Sequence, residues 1–334
     1  MSVVYVRFPV APGDAEEPRS TDRVLGRLLA RADGPTAIED WREDAIRFVT
    51  HGKSAAPAVG PVAWWAASLD AAAPAHARGA SDREAPAPGG HVCVATPVHC
   101  VAGMSSVGLP PGGILRLEAD EAGEFAADFN RVFHGGGRRL VAAPKIGLLC
   151  VFERPLVAQT LDPERVSGLG IGPYLPAGRD AAVLRSLMSE IEMWLFDHPV
   201  NRRRAANGRP AVTGLWLWGG GPLLREPPRL DAWVAGDDLL LSAWPKQPAW
   251  PAATARRAKP ADVPCSGLVV FAQSPDAAVW TACESAWLAP AEASLRAGRI
   301  ASIALSAGER RYDLSARASR RFWRPKRPWR EFFA

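Results

Sequence analysis

The stretch "GLWLWGGG", residues 214–221, limits the possible folds more than any other part of this chain. Leucine and tryptophan alternate there, so both faces of an extended segment are apolar and both need covering. Three glycines and Pro222 follow at once. Glycine admits positive φ and lets another chain segment approach closely. Residues 213–218 therefore predict a strand buried from both sides, and Gly219–Gly221 predict a sharp turn after it.

Helical periodicity supplies the covering layers. Over Asp180–Asp197, residues Leu184, Leu187, Met188, Ile191 and Leu195 line one side, and Pro199 stops the run. Residues 119–134 place Ala122, Phe125, Phe129, Val132 and Phe133 on one face, ended by Gly135–Gly137. Helices are also expected in "STDRVLGRLLARADG", in residues 39–50 and in "PVAWWAASLD". Residues 276–297 predict a helix broken at Pro290 and stopped at Gly298. Strands are expected at 3–10, in "HVCVATPVHCV" with a break at Pro97, in "GLLCVFE" and in "SGLVVFAQ". "RIASIAL" and "RRYDLSA" predict a hairpin around Gly308. This alternation indicates an α/β fold, a mixed sheet flanked by helices with a mainly helical N-terminal part. Residues 71–90 carry three prolines and no apolar period, as an exposed loop or a boundary would. The expected divisions are 1–90, 91–316 and 317–334, with a single domain left open.

The 334 residues, 48% hydrophobic and 22% charged, have globular composition and enough length for a sizeable core. No apolar run approaches the roughly 18–20 residues of a membrane span. "MSVVYVRFPVAPGD" lacks the apolar centre of a signal peptide, so a cytoplasmic protein is expected. Five cysteines without a C-x-x-C pair predict free thiols rather than a zinc site or a disulfide framework. The net charge is +5, yet seven basic residues and no acid lie between Arg317 and Arg330. The basicity belongs to the tail.

Three places carry candidate chemistry. At Gly219, Gly220 and Gly221, beside Trp216 and Trp218, backbone N–H groups at a strand's carboxyl end have the makings of an anion site. Pro222 removes one donor, and neither a dinucleotide fingerprint nor a phosphate loop is present, so a purely structural turn stands beside that reading. In "DHPVNRRRAANGR", His198 suits acid–base work, and Asn201, Arg202 and Arg209 suit a carboxylate or phosphate. The plainer reading is a helix cap with a solvated arginine run. His99 has the same two readings, with a hydrogen-bonded core histidine favoured. No catalytic residue, metal ligand or cofactor is expected, because H-x-x-x-H, H-E-x-x-H and G-x-S-x-G are all absent. The adjacent Asp237 and Asp238 predict a turn or a helix cap. In the tail, Arg320, Arg321, Trp323, Arg324, Lys326, Arg327 and Trp329 interleave cations with aromatics. Docked aromatics with solvated arginines are the favoured reading, then a protein partner, with nucleic acid last.

With those residues in view, the chain resembles the RpfE-type regulatory proteins (regulation of pathogenicity factors) of proteobacteria. The resemblance is carried by "ATPVHCVAGMSSVGL", "EAGEFAADFNRVF", "RRFWRPKRP" and above all residues 175–223. It implies a non-catalytic regulatory role, through a protein partner or a small anionic ligand. Ser189 and Phe196 stand where that family tends to have asparagine and histidine. Residues 201–223 are also similar to a segment of the archaeal-type cofactor-independent phosphoglycerate mutases, of the alkaline phosphatase superfamily. That likeness implies two metal ions held by aspartates and histidines, with a serine or threonine nucleophile. No early Asp-Gly-x-x-Asp and no Asp-x-x-x-His cluster is present to receive those roles. A divergent mutase or phosphatase, and an adaptor acting through the tail, are the alternative functions.

Overall fold

A computed structural model of the chain describes residues 2–8, 22–69, 90–104, 106–143, 146–224, 230, 232–236, 238, 239, 241, 266–271, 284–324 and 332. In chain order the elements begin with β1 (Val3–Arg7), α1 (Asp22–Arg31), β2 (Asp33–Ala37), α2 (Trp41–Val49) and α3 (Val59–Leu69). The middle holds β3 (His91–Val98), β4 (Val101–Ala102), β5 (Val107–Leu109), α4 (Ala119–Val132), β6 (Arg138–Ala143), β7 (Gly147–Phe152) and β8 (Leu169–Gly170). Then come α5 (Ala181–Leu195), α6 (Pro199–Ala206), β9 (Gly214–Pro222), β10 (Trp233–Gly236), β11 (Gly267–Val270), α7 (Ala289–Arg296), β12 (Ser302–Ala307) and β13 (Arg310–Ser315). No helix among the described residues is long and apolar enough to cross a membrane.

The chain divides into two compact units. One joins residues 1–56 to 229–334; the other is residues 57–228. These bounds do not coincide with the 1–90, 91–316 and 317–334 divisions expected from the sequence.

The first unit is built on a six-stranded mixed sheet in the order β10-β11-β1-β12-β13-β2. The four strands from β10 to β12 run parallel, while β13 and β2 are antiparallel additions. Every residue of β1 is buried, the near-continuous apolar run that a parallel strand covered on both faces requires. Leu25, Leu28 and Leu29 of α1 and Leu295 of α7 join Val4, Val6, Phe8, Ile303, Leu305 and Leu314 in one core. The expected hairpin at Gly308 is β12–β13. The sequence did not signal β2: all five of its residues are exposed and Pro35 interrupts its ladder, as fits an edge strand.

The second unit carries a four-stranded sheet, β6-β7-β3-β9, whose pairings are all antiparallel. A three-stranded ribbon, β4-β5-β8, accompanies it. In α4 and α5, Phe125, Phe129, Leu184, Leu187, Ile191 and Leu195 are buried as their spacing predicts. Val132, expected on the same face, is 48% exposed at the helix end. Pro97 does not break β3. It faces Leu215, and its carbonyl accepts from Leu115 on the side away from β9. The pairing with β7 has already ended at Val94, so no ladder needs the N–H that proline lacks.

Candidate functional site

The strand that opened the sequence reading is β9, and it differs from expectation in two ways. It runs to Pro222, so Gly219–Gly221 lie inside it rather than in a turn beyond it. It also pairs antiparallel at the edge of its sheet, so the carboxyl-edge rule for parallel sheets does not apply to it. The glycines form a bulge: Trp218 pairs with Val94 and Gly221 with Val92, leaving two residues opposite Cys93. Gly219 takes φ +63°, and a Cβ there would lie 3.0 Å from the Val59 side chain. A Cβ on Gly220 would lie 2.5 Å from His91 Nε2 and 2.7 Å from Cys93 Sγ. The room these glycines leave is thus filled by the start of α3 and by β3 side chains. Burial pushes the Cys93 thiol up to about 12 and holds the His91 imidazole below its usual range.

Trp216 and Trp218 are buried as expected. Their indole N–H groups donate to the Leu161 carbonyl (2.8 Å) and to Thr96 Oγ1 (2.7 Å). Both wide side chains therefore have polar partners as well as apolar cover.

His198 caps α6: its Nδ1 accepts from the Val200 N–H at 3.2 Å. In the neutral ring the proton then sits on Nε2, 3.4 Å from Asp128 Oδ2. The ring is 4% exposed and packs 4.7 Å from Phe125 and 4.9 Å from Trp194 between ring centroids. Burial lowers its basicity, opposed by the nearby Asp128 and Glu124. Asp197, its neighbour in sequence, turns outward and holds Arg202 in an exposed pair at 2.8 Å. Asn201 binds three backbone groups: it donates to the carbonyls of Leu195 and Val212 and accepts from the Val212 N–H, each at 2.8 Å. Arg204, at the next turn, is buried against Glu121 at 2.8 Å and also donates to the Pro210 carbonyl. Arg209 approaches the same Glu121 and Glu118 at 3.4 and 3.5 Å. His99 hydrogen-bonds the Ala211 carbonyl through Nδ1 at 2.8 Å and is half-buried rather than in the core. The structure thus draws Asn201, Arg204 and Arg209 into the α4–α6 framework and leaves Arg202 at the surface.

The tail meets its expectation only in part: Phe332 packs against the core of the first unit, edge to face with Tyr312 at 5.7 Å, but Phe322 and Trp323 do not dock. Phe322 and Trp323 are 80% and 68% exposed, edge to face with each other at 5.4 Å. The arginines are what dock: Arg321 pairs with Asp33, and Arg324 donates to the Ala32 carbonyl at 2.9 Å. Short polar acceptors at the end of α1 outbid the apolar surface. Arg320 is exposed, and Lys326, Arg327 and Trp329 lie outside the described residues.

One polar cluster was not singled out from the sequence. It sits at the carboxyl ends of the parallel strands of the first unit. Arg7, the last residue of β1, donates from Nη1 to Ser306 Oγ (3.0 Å) and the Gly308 carbonyl (2.8 Å). Arg42 forks onto Asp238, just past β10, with its shortest contact 2.8 Å. Asp238 opens a turn, its carbonyl accepting from the Leu241 N–H at 3.1 Å, and its carboxylate is a buried ion-pair partner; Asp237 lies outside the described residues. Both guanidiniums lie over the Trp41 ring, at 5.2 and 4.5 Å from its centroid. An arginine ending the apolar run "VVYVR" and the Trp-Arg pair opening α2 were the available signals.

A two-metal centre finds no fit among the described residues: no group of three His, Cys, Asp or Glu is placed to hold an ion. The described cysteines Cys93, Cys100 and Cys150 are free thiols.

No family model matches the chain. Over 111 residues it is 32% identical to the 2,3-bisphosphoglycerate-independent phosphoglycerate mutase of Methanothrix thermoacetophila, covering 33% of this chain and 28% of that enzyme. Over 59 residues it is 39% identical to the probable enzyme of the same kind in Geobacter sulfurreducens, covering 18% of this chain and 15% of the relative. The chain thus aligns with less than a third of the length of these relatives. Among solved structures, a cofactor-independent phosphoglycerate mutase from Thermoplasma acidophilum matches with a TM-score of 0.37 and 16% identity, covering 94% of this chain and 89% of that one. A Pyrococcus horikoshii protein matches with a TM-score of 0.41 and 12% identity, covering 93% and 87%. Nothing among these supports the RpfE-type family specifically; what the comparisons establish is weak homology, over part of the chain, to cofactor-independent phosphoglycerate mutases.

Proposed function

We propose that this chain is a phosphoglycerate-mutase-like protein of the alkaline phosphatase superfamily, acting on a small phosphorylated metabolite. The supporting observation is the 32% identity over 111 residues to an archaeal enzyme of that name. Phosphoryl transfer is the activity to look for, and the cytoplasm, which keeps thiols reduced, is the compartment that suits its free cysteines. The test couples conversion of 3-phosphoglycerate to enolase, with and without added manganese, and follows phosphate release in parallel. Turnover of either kind supports the reading. Absence of both, with each phosphoglycerate also failing to raise the melting temperature, removes it.

A non-catalytic regulator of RpfE type is the second reading. In its favour, His198, Asn201, Arg204 and Arg209 are spent on caps and internal pairs of the second unit. It expects stabilisation by a phosphorylated ligand, or capture of a protein partner, without turnover.

A further inference from the structure

We infer that the segment from Arg317 to Arg324 is a docking surface for an anionic lipid bilayer. Phe322 and Trp323 enter the headgroup region, and the arginines meet the negative charge of the lipids. The inference does not rest on the mutase-like reading, and docking at a bilayer surface needs no membrane-spanning helix.

Two large aromatic side chains standing together in water call for a partner. Exposed apolar residues scattered singly are ordinary, whereas a contiguous group marks an interaction site. Phe322 and Trp323 are 80% and 68% exposed and lie edge to face with each other. Their segment is anchored on both sides. Ala318 is fully buried in the core of the first unit, and Phe332 packs against the same core, its carbonyl accepting from the Tyr312 hydroxyl at 2.6 Å. Nearer the rings, Arg321 pairs with Asp33 and Arg324 donates to the Ala32 carbonyl. An anchored segment loses little conformational freedom when it docks.

Charge around the rings selects an anionic partner. Arg317 and Arg320 are exposed, and neither has an ion-pair partner among the described residues. Arg324 bonds a neutral carbonyl, so its charge is not offset, whereas Arg321 is neutralised by Asp33. Lys326, Arg327 and Arg330 follow in the sequence with no acid among them. Such a cluster is drawn to the negative surface of anionic lipids.

The rings then decide among anions. Their planes lie at 82°, so the pair offers no two parallel faces on which successive bases of a nucleic acid strand could stack. Together they expose about 300 Å², well short of the ~800 Å² per partner that a standard protein interface buries. A bilayer interface asks for neither parallel faces nor a large rigid patch. It takes in Trp and Phe side chains without directional contacts and holds arginine at the headgroups.

The experiment floats the full chain with vesicles of about three parts phosphatidylcholine to one part phosphatidylserine, and with phosphatidylcholine vesicles as the control. Binding is expected to the first and not to the second, with release as salt is raised. Phe322→Ala combined with Trp323→Ala, both at exposed positions, should weaken binding by roughly tenfold or more. Arg317→Gln combined with Arg320→Gln should weaken it by a similar factor. Circular dichroism checks each variant, and Trp323→Ala alone replaces the aromatic pair if that double variant does not fold. Anisotropy of a labelled oligothymidine is followed in parallel. Absence of binding to the phosphatidylserine vesicles, or equal binding to both kinds, overturns the surface. Binding that survives loss of the aromatic rings also overturns it, because bulk charge alone would then suffice. A tighter hold on oligothymidine that depends on the same rings overturns the bilayer in favour of nucleic acid.

Discussion

Each unit holds an arginine-rich polar cluster, and the two clusters are built on different terms. In the second unit, Asn201 uses its amide on three backbone groups, and Arg204 meets Glu121 and a carbonyl. In the first, two arginines are held in place over a ring whose own N–H is unmet. A satisfied buried network fixes a fold, while an unmet donor is energy left for something else to recover. The difference distinguishes one arginine-rich cluster from another rather than the two units, since the second unit also holds buried donors without a hydrogen-bond partner, at Trp65 Nε1 and Arg138 Nε.

The comparison is broken most severely by damaging the satisfied side. Arg204→Ala leaves Glu121 buried without its main cation and should cost about 3–5 kcal/mol in urea unfolding. Trp216→Ala should cost a similar ~3–5 kcal/mol, because β9 is covered on both faces although it lies at a sheet edge. A loss under ~1 kcal/mol for either would show that its surroundings collapse or hydrate freely. Asn201→Ala comes next, at roughly 2–4 kcal/mol, since it strands three backbone groups that together exceed one lost bond.

A smaller effect comes from pH. Burial holds both His198 and His91 below the usual histidine range. The unfolded chain then binds protons that the folded chain does not, beginning near pH ~6.5. Stability should be full above that pH, decline as pH falls below it, and level off once the folded pKa is passed. His198→Gln should flatten part of the slope between neutral pH and pH ~5.5. An unchanged slope in urea melts would mean that Asp128 offsets the burial of His198 in full.

How much of this was readable in the sequence follows the same divide. Periodicity found α4 and α5 because one apolar face per helix is a local signal, and composition found β9 because its burial is two-sided. The β2 strand was missed because an exposed edge strand interrupted by Pro35 needs no apolar alternation. The glycine run was legible as close approach but not as a bulge, since only the pairing with β3 shows that Trp218 and Gly221 bracket Cys93. Pairings across the chain were invisible for a plain reason: Arg42 meets Asp238 across 196 positions, and Arg7 meets Ser306 across 299. The tail was misjudged in part: Phe332 docks as expected, but Arg321 and Arg324 find acceptors at the end of α1 while Phe322 and Trp323 stay exposed.

The smallest expected effect is also the sharpest. Trp41→Phe should change stability by no more than about 1 kcal/mol in urea melts, because the loss of ring volume is offset by removal of a buried donor that had no partner. If Trp41→Phe instead loses ~3 kcal/mol, its N–H is already satisfied inside the protein, and the contrast between the two clusters disappears.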